Sequence, residues 1–338
     1  MSKILLRLVA VGITGALFVW LLSSARWQDV GRRLSQFDPG TLLIAASLFA
    51  ASYLLRAARV FDEFRHETRS GAASVGFASL HFLRFLRLTL IHNALVNVAP
   101  LRAGEIAFPV LLKRWFKVPA ERSIVALLWL RIQDAIVVLV LAACVWPGMA
   151  AALRALVILA IVAAAFGIPL WAQRHGGATD KERTDDREAG ESPADSPADL
   201  PTDLQNDPQT GRTPGRLAKF RAALARSTRS QPRSWLWTLA NWTVKLSAET
   251  WLLMGLLGVA PNVGALGALG AELAGILPIQ GVAGFGTFEA GAAALMRTYN
   301  VGLVDGLQAA LALHLIMLGC AMLAGGLAAA FMPEAPTA

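Results

Sequence analysis

The sequence predicts an all-α fold, a polytopic transmembrane helix bundle of about eight spans with two re-entrant or broken hairpins related as an inverted repeat. Three observations lead there. Of 338 residues, 55% are hydrophobic and 16% charged, and the mean hydropathy is +0.52; soluble domains carry about 25% charged residues. The apolar residues gather in blocks close to the ~20 residues that a helix needs to cross a bilayer. Two stretches are interrupted by proline and glycine, each followed by a glutamate.

In chain order the blocks are 4–24, 41–61, 74–98, 123–146, 155–172, 235–258, 262–277 and 306–332. A soluble core buries one or two such runs, not all of these. The first block follows Lys3 and Arg7 and precedes Ser23, Ser24 and Ala25, which lends it some signal-peptide character. Its length and the many blocks that follow favour an uncleaved first helix. Trp20, Trp27, Trp146, Trp171, Trp235 and Trp237 stand near block ends, where the ring suits the membrane interface. Cys144 and Cys320 both fall inside apolar blocks, so neither a disulfide framework nor a zinc site is expected. The net charge of +8 comes with no nucleic-acid motif and fits basic cytoplasmic loops instead.

The longest polar stretch divides the chain into an N-terminal membrane half (1–172), a linker (173–233) and a C-terminal membrane half (234–338). Residues 180–207 hold ten acids and three bases with a repeated Ser-Pro-Ala-Asp, a composition that cannot build a core. Deleting them is expected to leave a single folded peak in detergent chromatography, since loop length costs little free energy. Residues 211–233 hold seven bases and no acid. There Leu217, Phe220 and Leu224 recur at helical spacing among Arg216, Lys219, Arg221 and Arg226. This reads either as a basic amphipathic helix lying on anionic lipid headgroups or as a solvated linker. A cytoplasmic basic linker puts both termini inside, with Lys113, Arg114, Lys117 and Arg122, and also Arg56, Arg59, Arg65 and Arg69, on the same side. Arg26, Arg32 and Arg33 do not fit that scheme.

The first interruption reads Asn97-Val-Ala-Pro100-Leu-Arg102-Ala-Gly104-Glu105 before a short segment at 106–116. The second reads Pro278-Ile-Gln-Gly281-Val-Ala-Gly284-Phe-Gly286-Thr-Phe-Glu289 before 290–299. Proline removes a helical donor and glycine frees the backbone, so each helix should stop and a half-helix should follow. Glu105 precedes Arg131 by 26 residues and Glu289 precedes His314 by 25. Lys117 to Arg131 aligns without a gap on Asn300 to His314. The first turn-back connection is basic and the second nearly neutral, which suggests units of opposite orientation, the usual architecture of a transporter.

An ionisable side chain in the membrane costs about 2.5–3.5 kcal/mol on insertion scales and calls for a partner or a task. Arg131 and Asp134 lie one turn apart, as do Lys245 and Glu249; Glu272 falls in the seventh block, and His81, Arg84, His92 and Asn93 line one side of the third beside Arg87. The Lys245–Glu249 pair reads first as structural. Arg102, Glu105, Arg131, Asp134 and Glu289 cluster at the breaks and read as a site, where guanidinium would suit a phosphate-bearing group. The sequence holds no Gly-x-Ser-x-Gly, His-Glu-x-x-His, Walker or Cys-x-x-Cys motif, so no catalysis, metal or cofactor is expected.

Asn97-x-x-Pro100-x-Arg102-x-Gly104-Glu105, Arg131-x-x-Asp134 and Pro278…Gly284-x-Gly286-x-x-Glu289 together resemble the lysylphosphatidylglycerol synthase transmembrane-region family. The resemblance implies a stand-alone flippase-like domain that moves a phospholipid, glycolipid or isoprenoid lipid in a bacterial inner membrane. It makes Asn97, Pro100, Arg102, Gly104, Glu105, Arg131, Asp134, Gly284, Gly286, Glu289 and His314 candidate substrate-binding residues. His314 stands where arginine is expected, and Gln280-Gly281-Val-Ala replaces a proline-glycine-glycine turn. Two alternatives remain at this point: a membrane transferase using Glu105 or Asp134 as base on a polyprenyl-phosphate or phospholipid, or a non-transporting partner of envelope-lipid biosynthesis enzymes.

Overall fold

The computed structural model describes residues 31–32, 34–35, 37–65, 68, 75–99, 104–176, 232–276 and 282–332, with side chains at 75–79, 168–176, 232 and 282 left aside. The first apolar block, residues 177–231 of the linker, Pro100, Arg102, Pro278 and Gly281 lie outside the described residues. All regular structure among the described residues is helical.

Helix α1 (Pro39–Phe64) starts where Asp38 accepts a hydrogen bond from the Thr41 amide at 3.1 Å, with proline in the first turn, where its missing N–H costs nothing. It is followed by α2 (Val75–Val98), the short α3 (Ala107–Phe116), α4 (Ala120–Val145) and α5 (Ala151–Gly176). Beyond the linker come α6 (Pro232–Leu257), α7 (Pro261–Ile276), the short α8 (Thr287–Met296) and α9 (Leu303–Phe331). By length and hydropathy α1, α4 and α9 can each cross a membrane. The α6–α7 pair, bent by 118° where Gly258 adopts φ +65°, adds a further candidate. Polar side chains such as Arg84, Arg87, His92 and Asn93 dilute the apolar character of α2.

The ten-residue helices α3 and α8 are each about 15 Å long, half of a hydrocarbon core. Their surroundings match in detail. A residue in the left-handed region follows α3 directly, Lys117 at φ 59°, ψ 19°, and follows α8 after the turn Arg297–Tyr299, Asn300 at φ 62°, ψ 19°. Two residues later each long helix is entered through the same backbone conformation, Pro119 at φ −56°, ψ 140° and Gly302 at φ −57°, ψ 136°. Both pairs occupy equivalent positions in the ungapped alignment.

Phe85 stacks on Phe116 with centroids 4.1 Å apart, and Phe108 and Leu112 are buried beside Phe64 and Leu88, which fixes α3 between α1, α2 and α4. A larger apolar cluster joins α1, α4, α6, α7, α8 and α9 through Phe49, Val138, Leu252, Leu269, Met296 and Leu311. Outward-facing side chains are also apolar, among them Leu43, Leu156, Leu159, Phe166, Leu236 and Phe331. A surface of that kind faces lipid rather than water.

Candidate functional site

The first unit brings its charges together through α4. Arg131 Nε lies 3.2 Å from Glu105 Oε1, and Arg131 Nη1 lies 3.5 Å from Asp134 Oδ2. Asp134 is held from two further sides: Arg59 Nη1 donates to Oδ1 at 2.6 Å and Trp242 Nε1 donates to the same oxygen at 3.0 Å. The other arm of Arg59 donates to the Leu130 carbonyl at 2.7 Å and to Gln133 Oε1 at 3.0 Å. Gly104 packs directly on the backbone of Leu95, where a Cβ would have no room. This close approach sets Glu105 beneath the end of α2. Asn97 Nδ2 donates to the Asn93 carbonyl at 2.7 Å, leaving its amide oxygen at the same end.

The second unit is built around Glu289. Gly286, at φ +88°, donates its amide to Glu289 Oε2 at 2.6 Å, a one-way cap that leaves the second oxygen for His314 Nδ1 at 2.7 Å. Since a carboxylate only accepts, Nδ1 carries the proton and Nε2 is the ring atom left to meet a ligand. Phe285 and Phe288 flank the imidazole with ring centroids 4.5 and 4.6 Å away. At Gly284 (φ +81°) an added Cβ would lie 3.5 Å from the ring, so the missing side chain keeps one edge of His314 clear.

Both units open on one cavity of about 160 Å³, to which α1, α2, α4, α6, α7 and α9 all contribute. Its charged lining comprises Arg56, Glu105, Arg131, Lys245 and Glu272, joined by Asn93, Asn97 and His314. Lys245 Nζ sits 2.7 Å from Glu272 Oε1, 3.5 Å from Glu249 Oε1 and 4.9 Å above the Trp242 ring. Arg56 Nη1 donates to Asn93 Oδ1 at 2.6 Å, and no carboxylate among the described residues pairs with it.

Of the residues singled out in the sequence, Asn97, Glu105, Arg131, Gly284 and His314 line this cavity. Asp134 and Glu289 stand behind it, holding Arg131 and His314. Gly104 and Gly286 shape the two turns, and Pro100 and Arg102 lie outside the described residues. Sequence reasoning assigned Arg56 and Arg59 to the cytoplasmic side as orienting charges. Arg59 is instead 4% exposed within the bundle and Arg56 faces the cavity, so neither carries orientation information. It also paired Lys245 with Glu249 alone, whereas Glu272 is nearer. The signal that could have found Arg56 and Arg59 is their position inside an apolar block with no acid at helical spacing toward the N-terminus.

No curated protein matches the chain. The family model for the lysylphosphatidylglycerol synthase TM region matches residues 5–325, nearly the whole length. A match of that extent, over a bundle whose helices are apolar outside and charged at their centre, makes the chain a member of the lysylphosphatidylglycerol synthase transmembrane-region family and a multi-pass membrane protein of a lipid-related class.

Proposed function

We propose that this protein is a lipid flippase or transporter of the bacterial inner membrane which holds an anionic headgroup in the central cavity and changes no covalent bond. The observation that carries this reading is Arg56, a guanidinium in a cavity walled by both broken hairpins, whose described partner is a neutral amide. Guanidinium offers paired donors matched to phosphate and carboxylate oxygens. The other cations of the cavity already have carboxylates. Cations arranged this way would recognise one negative group.

The transport geometry is proposed on the same footing: eight crossings, two units related by inversion, both termini cytoplasmic and residues 216–226 lying on anionic headgroups. The matched backbone around Lys117 and Asn300 supports a repeat, and the bend that folds α7 back along α6 suits two consecutive crossings. The transferase alternative loses support because Glu105 and Asp134 are both engaged by arginines rather than presented to a substrate.

Purified protein in liposomes should move a headgroup-labelled phosphatidylglycerol between leaflets without altering its mass. Arg56→Gln should slow this by about ten- to hundred-fold, the equivalent of one charged hydrogen bond of about 1.5–3 kcal/mol, and Arg56→Lys should retain part of it. A wild-type protein that leaves the lipid in its leaflet, or that changes its mass, would overturn the proposal.

A further inference from the structure

Ser52 Oγ donates to Asn241 Oδ1 at 2.8 Å where α1 and α6 run side by side. Beyond that bond, toward the end of α1 and the start of α6, a groove of about 550 Å³ lies between the two helices. A space of that size falls within the range of small-molecule sites. It shares no residue with the central cavity.

The groove is graded along its length. Ala58, Phe61, Leu236 and Ala240 give it an apolar wall. Trp237 lines it as well, and its indole N–H is buried with no acceptor among the described residues. At the mouth stand Arg65, at the C-cap of α1, and Arg233, in the first turn of α6. Arg65 meets Asp62 through Nε at 3.2 Å, which leaves its two terminal nitrogens without a partner among the described residues. Arg233 is exposed and is the last of the seven bases in 211–233. Asp62, the acid of this lining, is engaged, so the donors left open are two guanidinium groups and an indole. A buried N–H without an acceptor is costly, and a ligand oxygen beside it would relieve that cost.

A fitting ligand carries oxygen acceptors at one end and hydrocarbon at the other. A glycerophospholipid presents phosphate, ester carbonyls and acyl chains in that order. Trp237 lies four residues inside Arg233, about 6 Å along the helix axis, so a phosphate at the arginines would bring an ester carbonyl toward the indole. Two cations against one acid favour a headgroup of net negative charge over a zwitterion. We propose that the groove between α1 and α6 binds an anionic glycerophospholipid of the surrounding leaflet, at a site separate from the central cavity. The proposal needs only the membrane class of the chain and not the transport reading. The two arginines take the phosphate, Trp237 donates to an ester carbonyl, and one acyl chain lies along Phe61 and Leu236 toward Ala58 and Ala240. A lipid held in this way ties the last turn of α1 to the first turn of α6.

The test uses the purified full chain in detergent with two photoreactive lipids, a phosphatidylglycerol and a phosphatidylcholine that carry a diazirine on the same acyl chain. Adducts are mapped by peptide mass spectrometry. Phosphatidylglycerol should label the peptides that hold Phe61 and Leu236 several-fold more than phosphatidylcholine does. Arg233→Gln, at an exposed side chain, should lower this labelling by about ten-fold, the equivalent of one charged hydrogen bond. Ala240→Phe should fill the groove and remove the labelling, whereas Arg56→Gln, in the central cavity, should leave it unchanged. Equal labelling by the two lipids, labelling that survives Arg233→Gln, or its loss in Arg56→Gln each overturns the proposal. A wild type that runs as a dimer beside an Ala240→Phe variant that runs as a monomer would give the groove to a second copy, which also overturns it. If Ala240→Phe yields no folded protein, the lipid preference and Arg233→Gln decide.

Discussion

Arg59→Ala is expected to destabilise the folded bundle by about 3–5 kcal/mol, the cost of leaving one partner of a buried ion pair alone. Arg59 is 4% exposed and holds three acceptors across one helix interface, Asp134, Gln133 and the Leu130 carbonyl, with Gln133 passing the link on to Ser234 of α6. Alanine removes the donors and leaves Asp134 with Trp242 and a more distant Arg131. Arg131→Ala is the internal comparison. Arg131 is 31% exposed and its two carboxylates keep some access to solvent or to other donors, so the loss should be smaller. Apparent melting temperatures in one detergent, read by intrinsic fluorescence, order the variants. Equal melting of Arg59→Ala and wild type would show that the pair contributes specificity rather than stability.

Gly291→Leu is expected to abolish both the folded peak and lipid movement. Helices α7 and α8 cross where Gly270 and Gly291 meet, and a Cβ on either would run into the carbonyl oxygen of the other. Ala274 stands on the same side, with its Cβ 2.6 Å from where that of Gly291 would be. Overpacking of a core typically costs about 1–3 kcal/mol, and it costs more where the obstacle is backbone that no rotamer change can move. Small residues at such crossings let transmembrane helices approach closely. Separating α7 from α8 would also shift Glu289, two residues away, and break its bonds to Gly286 and His314. Gly319→Ala is the control, because nothing lies within 4 Å of its added Cβ. Similar chromatographic profiles for the two variants would sink the crossing argument.

Much of the fold was legible along the chain because its signals are local. Hydropathy marked the helical blocks, and proline or glycine marked where they stop. The short segments expected at 106–116 and 290–299 correspond to α3 (Ala107–Phe116) and to α8 (Thr287–Met296) with its following turn Arg297–Tyr299. Asn300 in a left-handed conformation is the kind of residue that tolerates it, whereas Lys117 at the same point carried no such mark. The second unit starts three residues earlier than expected because Gly286 is the cap.

What the sequence by itself determined is the helical membrane class, the positions of the breaks, and the presence of charges that a bilayer forces into company. Each follows from properties of one residue or of near neighbours: transfer free energy, proline geometry, the cost of an isolated charge. What only the tertiary structure decided is which charge meets which. Arg59 finds Asp134 75 positions away, and Lys245 passes over the carboxylate one turn along its own helix for Glu272 across the bend. Helix rotation and crossing geometry set those distances, and spacing along the chain does not encode them. For the same reason Arg56, at the cavity and with no carboxylate among the described residues to pair with it, emerges only once the helices are packed.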